Sequence, residues 1–79
     1  MSDIKEFVEN MVQHLVDNVE EVKVTEQEGE HAHIIEVRVG QGDMGKVIGK
    51  HGRNADALRI LVRAVSAKKG KSVTLEINE

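Results

Sequence analysis

Apolar residues recur at Ile4, Phe7, Val8, Met11, Val12, Leu15, Val16 and Val19, with acids and amides between them. Spacing of three and four predicts an amphipathic helix over roughly residues 3–18. Ser2 or Asp3 can cap its start, and Glu6 stands three residues after Asp3, as in a capping box. Val22 and Val24 then alternate with charged neighbours, which predicts a short strand, and Glu26 to Glu30 with Gly29 read as a turn. Ile35, Val37 and Val39 alternate with Glu36 and Arg38, the period-two pattern of a strand buried on one face. Val73, Leu75 and Ile77 repeat that pattern against Thr74, Glu76 and Asn78 and predict a third strand.

Two helical pieces are predicted between the second and third strands. Asp43 can cap a short helix through Met44-Gly45-Lys46-Val47-Ile48. After Gly52 a longer helix runs from about Arg53 to Lys69, with Ala55, Leu58, Leu61, Val62 and Val65 on its buried stripe. Gly70 supplies a left-handed stop, and Lys68 and Lys69 suit the negative end of the helix dipole. The order is therefore α-β-β-α-α-β. A hairpin favours an antiparallel pair and a helical crossover a parallel one. The fold class is α+β, a three-stranded mixed sheet with the helices packed on one face. With 79 residues, no proline, no repeat and no low-complexity run, residues 1–79 are expected to form one domain. Its core β-α-α-β unit is placed at about 31–78, and the helix and strand before it at about 3–26.

Composition narrows the function. A chain this short buries a thin core, which argues against a deep substrate cavity and hence against an enzyme. There is no cysteine, so disulfides, thiolate chemistry and zinc-cysteine sites drop out. The start Met1-Ser2-Asp3-Ile4-Lys5-Glu6 lacks the basic and apolar regions of a signal peptide, and no apolar run is long enough to span a bilayer. A cytoplasmic location with no membrane partner is expected. The net charge of −3 at first argues against nucleic acid, but its distribution does not. Residues 1–30 are dominated by aspartate and glutamate, with Lys5 and Lys23 as the only lysines. Residues 46–71 carry Lys46, Lys50, Arg53, Arg59, Arg63, Lys68, Lys69 and Lys71 against Asp56 alone. Binding responds to that local field rather than to the total.

The basic half contains Gly49-Lys50-His51-Gly52. Gly49 ends the short helix where a side chain would block the turn, and Gly52 lets the backbone enter the next helix. Free amides at the start of that helix, with the dipole behind them, form a site for a phosphate. Lys50 and His51 can project toward the same phosphate, Arg53 begins the following helix, and Lys46 lies one turn before the loop. A lone Gly-x-x-Gly is a weak signal, since any helix-turn-helix hinge would match it. Here it joins a short helix to a long one, inside a strand-helix-helix-strand unit, with basic residues at its variable positions.

The stretch Val47-Ile48-Gly49-Lys50-His51-Gly52-Arg53-Asn54-Ala55 resembles the signature of the KH (K-homology) family. Extra elements placed before the core make it similar to the type II, prokaryotic arrangement. Within that group the free-standing length and the run Ala57-Leu58-Arg59 after the loop look most like the bacterial KhpA (YlqC) family. The resemblance implies a cytoplasmic protein that binds single-stranded RNA, the loop clamping about four backbone nucleotides. It further implies an RNA chaperone or post-transcriptional regulator that works with a larger KH-containing partner, KhpB, in cell-shape and cell-wall control. The RNA-binding residues it implies are Gly49, Lys50, His51, Gly52, Arg53 and Lys46, with Val47, Ile48 and Ala55 as an apolar wall. Ala55 stands where many KH domains have isoleucine, so that wall is shallower. The rival reading is a protein-protein dimerisation adaptor with a KH fold and little RNA binding.

Other features carry less. His31 and His33 share a strand face, but no carboxylate obviously completes a metal site, and two solvated histidines are the simpler reading. The P-loop pattern Gly-x-x-x-x-Gly-Lys-Ser/Thr is absent, so no NTPase is expected, and with the histidines set aside neither metal nor cofactor is expected. Asp56 is assigned to a surface ion pair with Arg59 or Arg63. Phe7, the only aromatic residue, lies on a buried stripe and provides no stacking platform. Binding through one such module should be weak, which favours a homodimer or a KhpB-like partner. Val12 and Val16, widening the first helix's stripe, are the surface expected to serve it.

Overall fold

The stripe read from the first helix is buried along one line, with Ile4, Val8 and Val12 fully enclosed and Val16 nearly so. The computed structural model describes residues 2–30 and 32–79. Its elements are α1 (Ser2–Leu15), β1 (Lys23–Glu28), β2 (His33–Arg38), α2 (Met44–Ile48), α3 (Arg53–Lys68) and β3 (Val73–Asn78). Short 3-10 turns occupy Val19–Glu21 and Lys50–Gly52. The fold is the expected α+β order, α-β-β-α-α-β.

The sheet runs β1-β2-β3, antiparallel between the first two strands and parallel between the last two. Register aligns the apolar alternations. Val24 faces Val37 and Val37 faces Ile77, while Ile35 faces Leu75. These side chains share one face because alternate residues of a strand point the same way. They meet the buried stripes of α1 and α3 in a single cluster that also takes in Val47, Ala55, Leu58 and Val62. The opposite face of the sheet is polar apart from Ile34, with Glu36 accepting a 2.8 Å hydrogen bond from Asn78 on the neighbouring strand.

Several local expectations are corrected. α1 stops at Leu15 rather than near residue 18, because the amides of Asp17 and Asn18 donate to the Asp43 carboxylate, at 3.4 and 2.9 Å, instead of continuing the helical ladder. Asp43 consequently makes no side-chain cap on α2. Asp3 lies inside the first turn of α1 rather than at its cap and accepts a hydrogen bond from Lys69 at 2.7 Å. β1 runs through Glu28, so the turn is shorter than residues 26–30. Pairing with β2 extends the strand where the alternation alone is too polar to show it. On α3, Leu61 and Ile60 are 42 and 63% exposed, and the buried stripe is completed by Ser66 instead. The Ser66 hydroxyl donates to the Val62 carbonyl one turn back, which satisfies a polar group inside the core. His33 is buried, not solvated, and its Nε2 lies 2.8 Å from the Glu26 carboxylate. His31 lies outside the described residues. Val12 and Val16 belong to the core and offer nothing to a partner. Among the described residues no ion pair joins Asp56 to Arg59 or Arg63, and no helix is long and apolar enough to cross a membrane.

The α3 stop is as expected. Gly70 adopts φ +70°, its amide donates to Ala67 at 3.0 Å, and the Lys71 amide donates to Ser66 at 2.9 Å. That pair of bonds is a Schellman motif, which takes up carbonyls the helix end leaves unpaired.

Candidate nucleic-acid interface

α2 is only five residues long and could not persist alone in water. It is held at both ends. At its start, the buried Asp43 links α2 to the chain leaving α1 through the Asp17 and Asn18 amides. Those donors favour the carboxylate, and the Asn18 amide most of all holds its pKa below the ordinary aspartate value of 3.8, against the opposing effect of burial. At its end, the Gly49 amide closes the last turn on the Gly45 carbonyl at 2.9 Å. The Asn54 side-chain amide, from the first turn of α3, reaches back across the loop to the Lys46 carbonyl at 2.9 Å.

The loop between these helices is folded tightly. Gly49 has φ +78° and ψ 171°, His51 φ +58° and Gly52 φ +75°. A β-carbon on Gly49 would lie 2.6 Å from Cγ and 2.9 Å from the backbone nitrogen of Asn54, so the expectation that a side chain would block this turn holds. Gly52 has open space around it, and its need for glycine is conformational alone. Among the described residues His51 is the one non-glycine residue in the left-handed region, a placement such residues seldom adopt. The amides do not all face outward as expected. The Gly52 amide donates to Gly49 at 3.0 Å and the Arg53 amide to Lys50, so the turn consumes both.

What projects from the loop and the start of α3 is two cationic side chains and an imidazole. Lys50, His51 and Arg53 are exposed, and among the described residues none of them has an ion-pair partner. They gather at the N-terminal end of α3, where the helix dipole is already positive and cations gain nothing from the helix itself. Lys46 is differently placed: its ammonium lies 3.3 Å from Asp17 and 4.0 Å from Asp43. Val47 and Ala55 are inside the core, at 0 and 3% exposure, so their side chains support the loop from below rather than line an open wall. Of the apolar trio only Ile48 is partly accessible.

Three residues outside the expected RNA-binding set also have defined places. Arg59 and Arg63, one turn apart on α3, border a shallow cleft floored by Val62 and Leu75 and rimmed by Val73 and Thr74 of the edge strand β3. Their four-residue spacing was a visible sign that both share a helix face. Asn54, inside the motif, had no such sign, because its partner is a backbone carbonyl.

A strand, a short helix, a glycine-bounded turn, a long helix and a parallel strand, preceded by a helix and an antiparallel strand, define a type II KH fold. The chain belongs to the family of KhpA/KhpB KH domains, whose model matches residues 5–77. It is 52% identical over 79 residues to the RNA-binding protein KhpA of Aquifex aeolicus (strain VF5), covering all of both chains. To the RNA-binding protein KhpA of Clostridium perfringens (strain 13 / Type A) it is 49% identical over 74 residues, covering 94% of this chain and 99% of that one. The fold also matches the crystal structure of Era in complex with MgGDPNP and nucleotides 1506-1542 of 16S ribosomal RNA, with a TM-score of 0.62 at 21% identity. That match covers 95% of this chain but 29% of Era.

Proposed function

We propose that this chain is a non-enzymatic, single-stranded RNA-binding protein whose loop Gly49-Lys50-His51-Gly52 clamps the RNA backbone. The carrying observation is the pair of cations Lys50 and Arg53, flanking the exposed imidazole of His51 at the positive end of α3, with no ion-pair partner among the described residues. Grouping like charges there is unfavourable for the fold alone and becomes favourable when a phosphate arrives. Relatives at about half identity carry the name RNA-binding protein, which agrees with this reading. Lys46 joins the site at the cost of its contact with Asp17. Ile48 supplies apolar contact beside the loop, while Val47, Ala55 and the two glycines shape it. From the loop, the strand continues along α3 into the cleft bordered by Arg59 and Arg63. There the unpaired edge of β3 offers backbone groups to bases.

Family resemblance extends the proposal to an RNA chaperone or post-transcriptional regulator in the cytoplasm, acting with a KhpB-like partner in cell-shape and cell-wall control. Ile60 and Leu61, exposed on α3, favour the second reading, a surface for another protein chain such as a second copy. A protein-binding face there can coexist with RNA at the loop, because these residues lie outside it, whereas an adaptor with little RNA binding is the rival. Titration of labelled single-stranded RNA at increasing salt tests the first. Affinity should fall with a logarithmic slope of about 0.7 for each phosphate neutralised. A salt-independent affinity would exclude the basic loop as the binding face.

A further inference from the structure

The RNA clamp consists of a strained loop on a helix too short to stabilise it, so something must keep it in shape before RNA binds. We infer that Asn54 is the positioning residue that does so, bracing the loop by spanning it from α3 back to α2. The inference rests on the RNA-binding reading for its consequence, but not for its structural content.

Two observations point to Asn54. Its side-chain nitrogen donates to the Lys46 carbonyl at 2.9 Å, a bond that crosses the whole Gly49–Gly52 turn. That carbonyl belongs to the last turn of α2, where helical acceptors run out of amide partners. In addition, the Asn54 side chain occupies the space beside Gly49: the missing β-carbon there would lie 2.6 Å from its Cγ and 2.9 Å from its Cβ. The side chain thus packs against the first glycine and bonds to the residue three before it. Leu, Ile or Val at this position would fill the space without donating, and Asp would present an acceptor to an acceptor. A short side-chain amide meets both demands.

A brace of this kind acts through Lys50 and His51 without touching RNA itself. With the brace in place, the loop's left-handed residues are held before binding, and little ordering remains to oppose association. Without it, the same phosphate contacts form, but the loop must be ordered as they do. Affinity falls while the number of phosphates neutralised stays the same. That separates a positioning residue from a phosphate ligand, whose loss lowers the salt slope.

Two variants test this. Asn54→Asp has the same shape, and a negative charge suits the first turn of a helix, so the fold is retained while the donor disappears. In the free protein, amide hydrogen exchange and backbone order at Gly49, Lys50, His51 and Gly52 should show this variant markedly more mobile, with the sheet unchanged. This measurement involves no RNA and stands whether or not RNA is the ligand. Asn54→Ala, which adds no charge, should weaken binding of single-stranded RNA about three- to ten-fold with an unchanged salt slope, whereas Lys50→Ala lowers the slope by about 0.7. Unaltered loop mobility in Asn54→Asp would overturn the brace. A lowered salt slope in Asn54→Ala would overturn it as well, by making Asn54 a phosphate contact. Increased mobility with no RNA binding even by the unaltered chain would retain the brace and reject the RNA reading.

Discussion

The two ends of α3 are both rich in cations and both marked by a left-handed glycine, yet they are built for different ends. At the C-terminal end, Lys68 and Lys69 sit where the helix dipole is negative, and Lys69 is bound to Asp3. Gly70 closes the helix with two backbone bonds and has open space around it. Every charge there has a local structural reason. At the N-terminal end, Lys50 and Arg53 have none: the dipole opposes them and no carboxylate among the described residues meets them. Here Gly49 is packed hard against Asn54, and His51, though not glycine, is held left-handed. Basic residues are therefore poor evidence of nucleic-acid binding until those the fold itself uses are set aside. Lys46, held by Asp17 and Asp43, shows how an apparent ligand can be partly occupied already.

The sharpest break between the two ends should come from the glycines. Gly49→Ala combines a backbone conformation that side chains rarely adopt with a contact against backbone, and should cost about 2–3 kcal/mol. Gly70→Ala meets no atom within 4 Å and should cost only the left-handed penalty of about 1 kcal/mol. Urea unfolding of both variants measures the difference, and equal losses would mean the loop end is no tighter than an ordinary helix stop.

Charge reversal separates the ends next. Lys50→Asp with His51→Asp should weaken RNA binding at least ten-fold, because repulsion replaces attraction at the clamp. Lys68→Gln with Lys69→Gln should leave affinity within about two-fold, since those charges serve the helix end. Circular dichroism and thermal melting should show both double variants folded. If the first pair binds as tightly as the unaltered chain, the loop is only a hinge.

The smallest effect concerns acid. Asp43 anchors the loop end through a carboxylate whose pKa is lowered by the Asn18 and Asp17 amides. A lowered folded-state pKa means that this stabilisation is complete above the ordinary value of 3.8 and is lost as pH falls through the folded-state value. Asp43→Asn should be less stable at neutral pH and lose less on acidification, as read by melting temperature across pH 7 to 3. A steeper acid loss in the variant than in the unaltered chain would remove Asp43 from that role.

Much of this was legible in the chain itself, because the information is local. Element order, the mixed sheet, the glycine stop at Gly70 and the position of the loop follow from spacing of apolar residues and from backbone conformations that only certain residues tolerate. What escaped were interactions between residues distant along the chain. The end of α1 was misplaced because it depends on Asp43, far along the sequence, capturing two amides that helical periodicity cannot see. Solvation of His33 was wrong for the same reason, since Glu26 comes to it across a hairpin. Val47 lies on the right element, and Ala55 on the buried stripe expected for it, but which side of α2 and α3 meets the sheet decides that Val47 is core and that Leu61 is surface. The sequence by itself determined where helices, strands and the glycine turn would form, through short-range sterics and hydrophobic period. Only the tertiary structure decided which cations remain unpaired and which side chain spans the turn, because charge pairing and hydrogen bonding depend on distances in space that packing alone establishes.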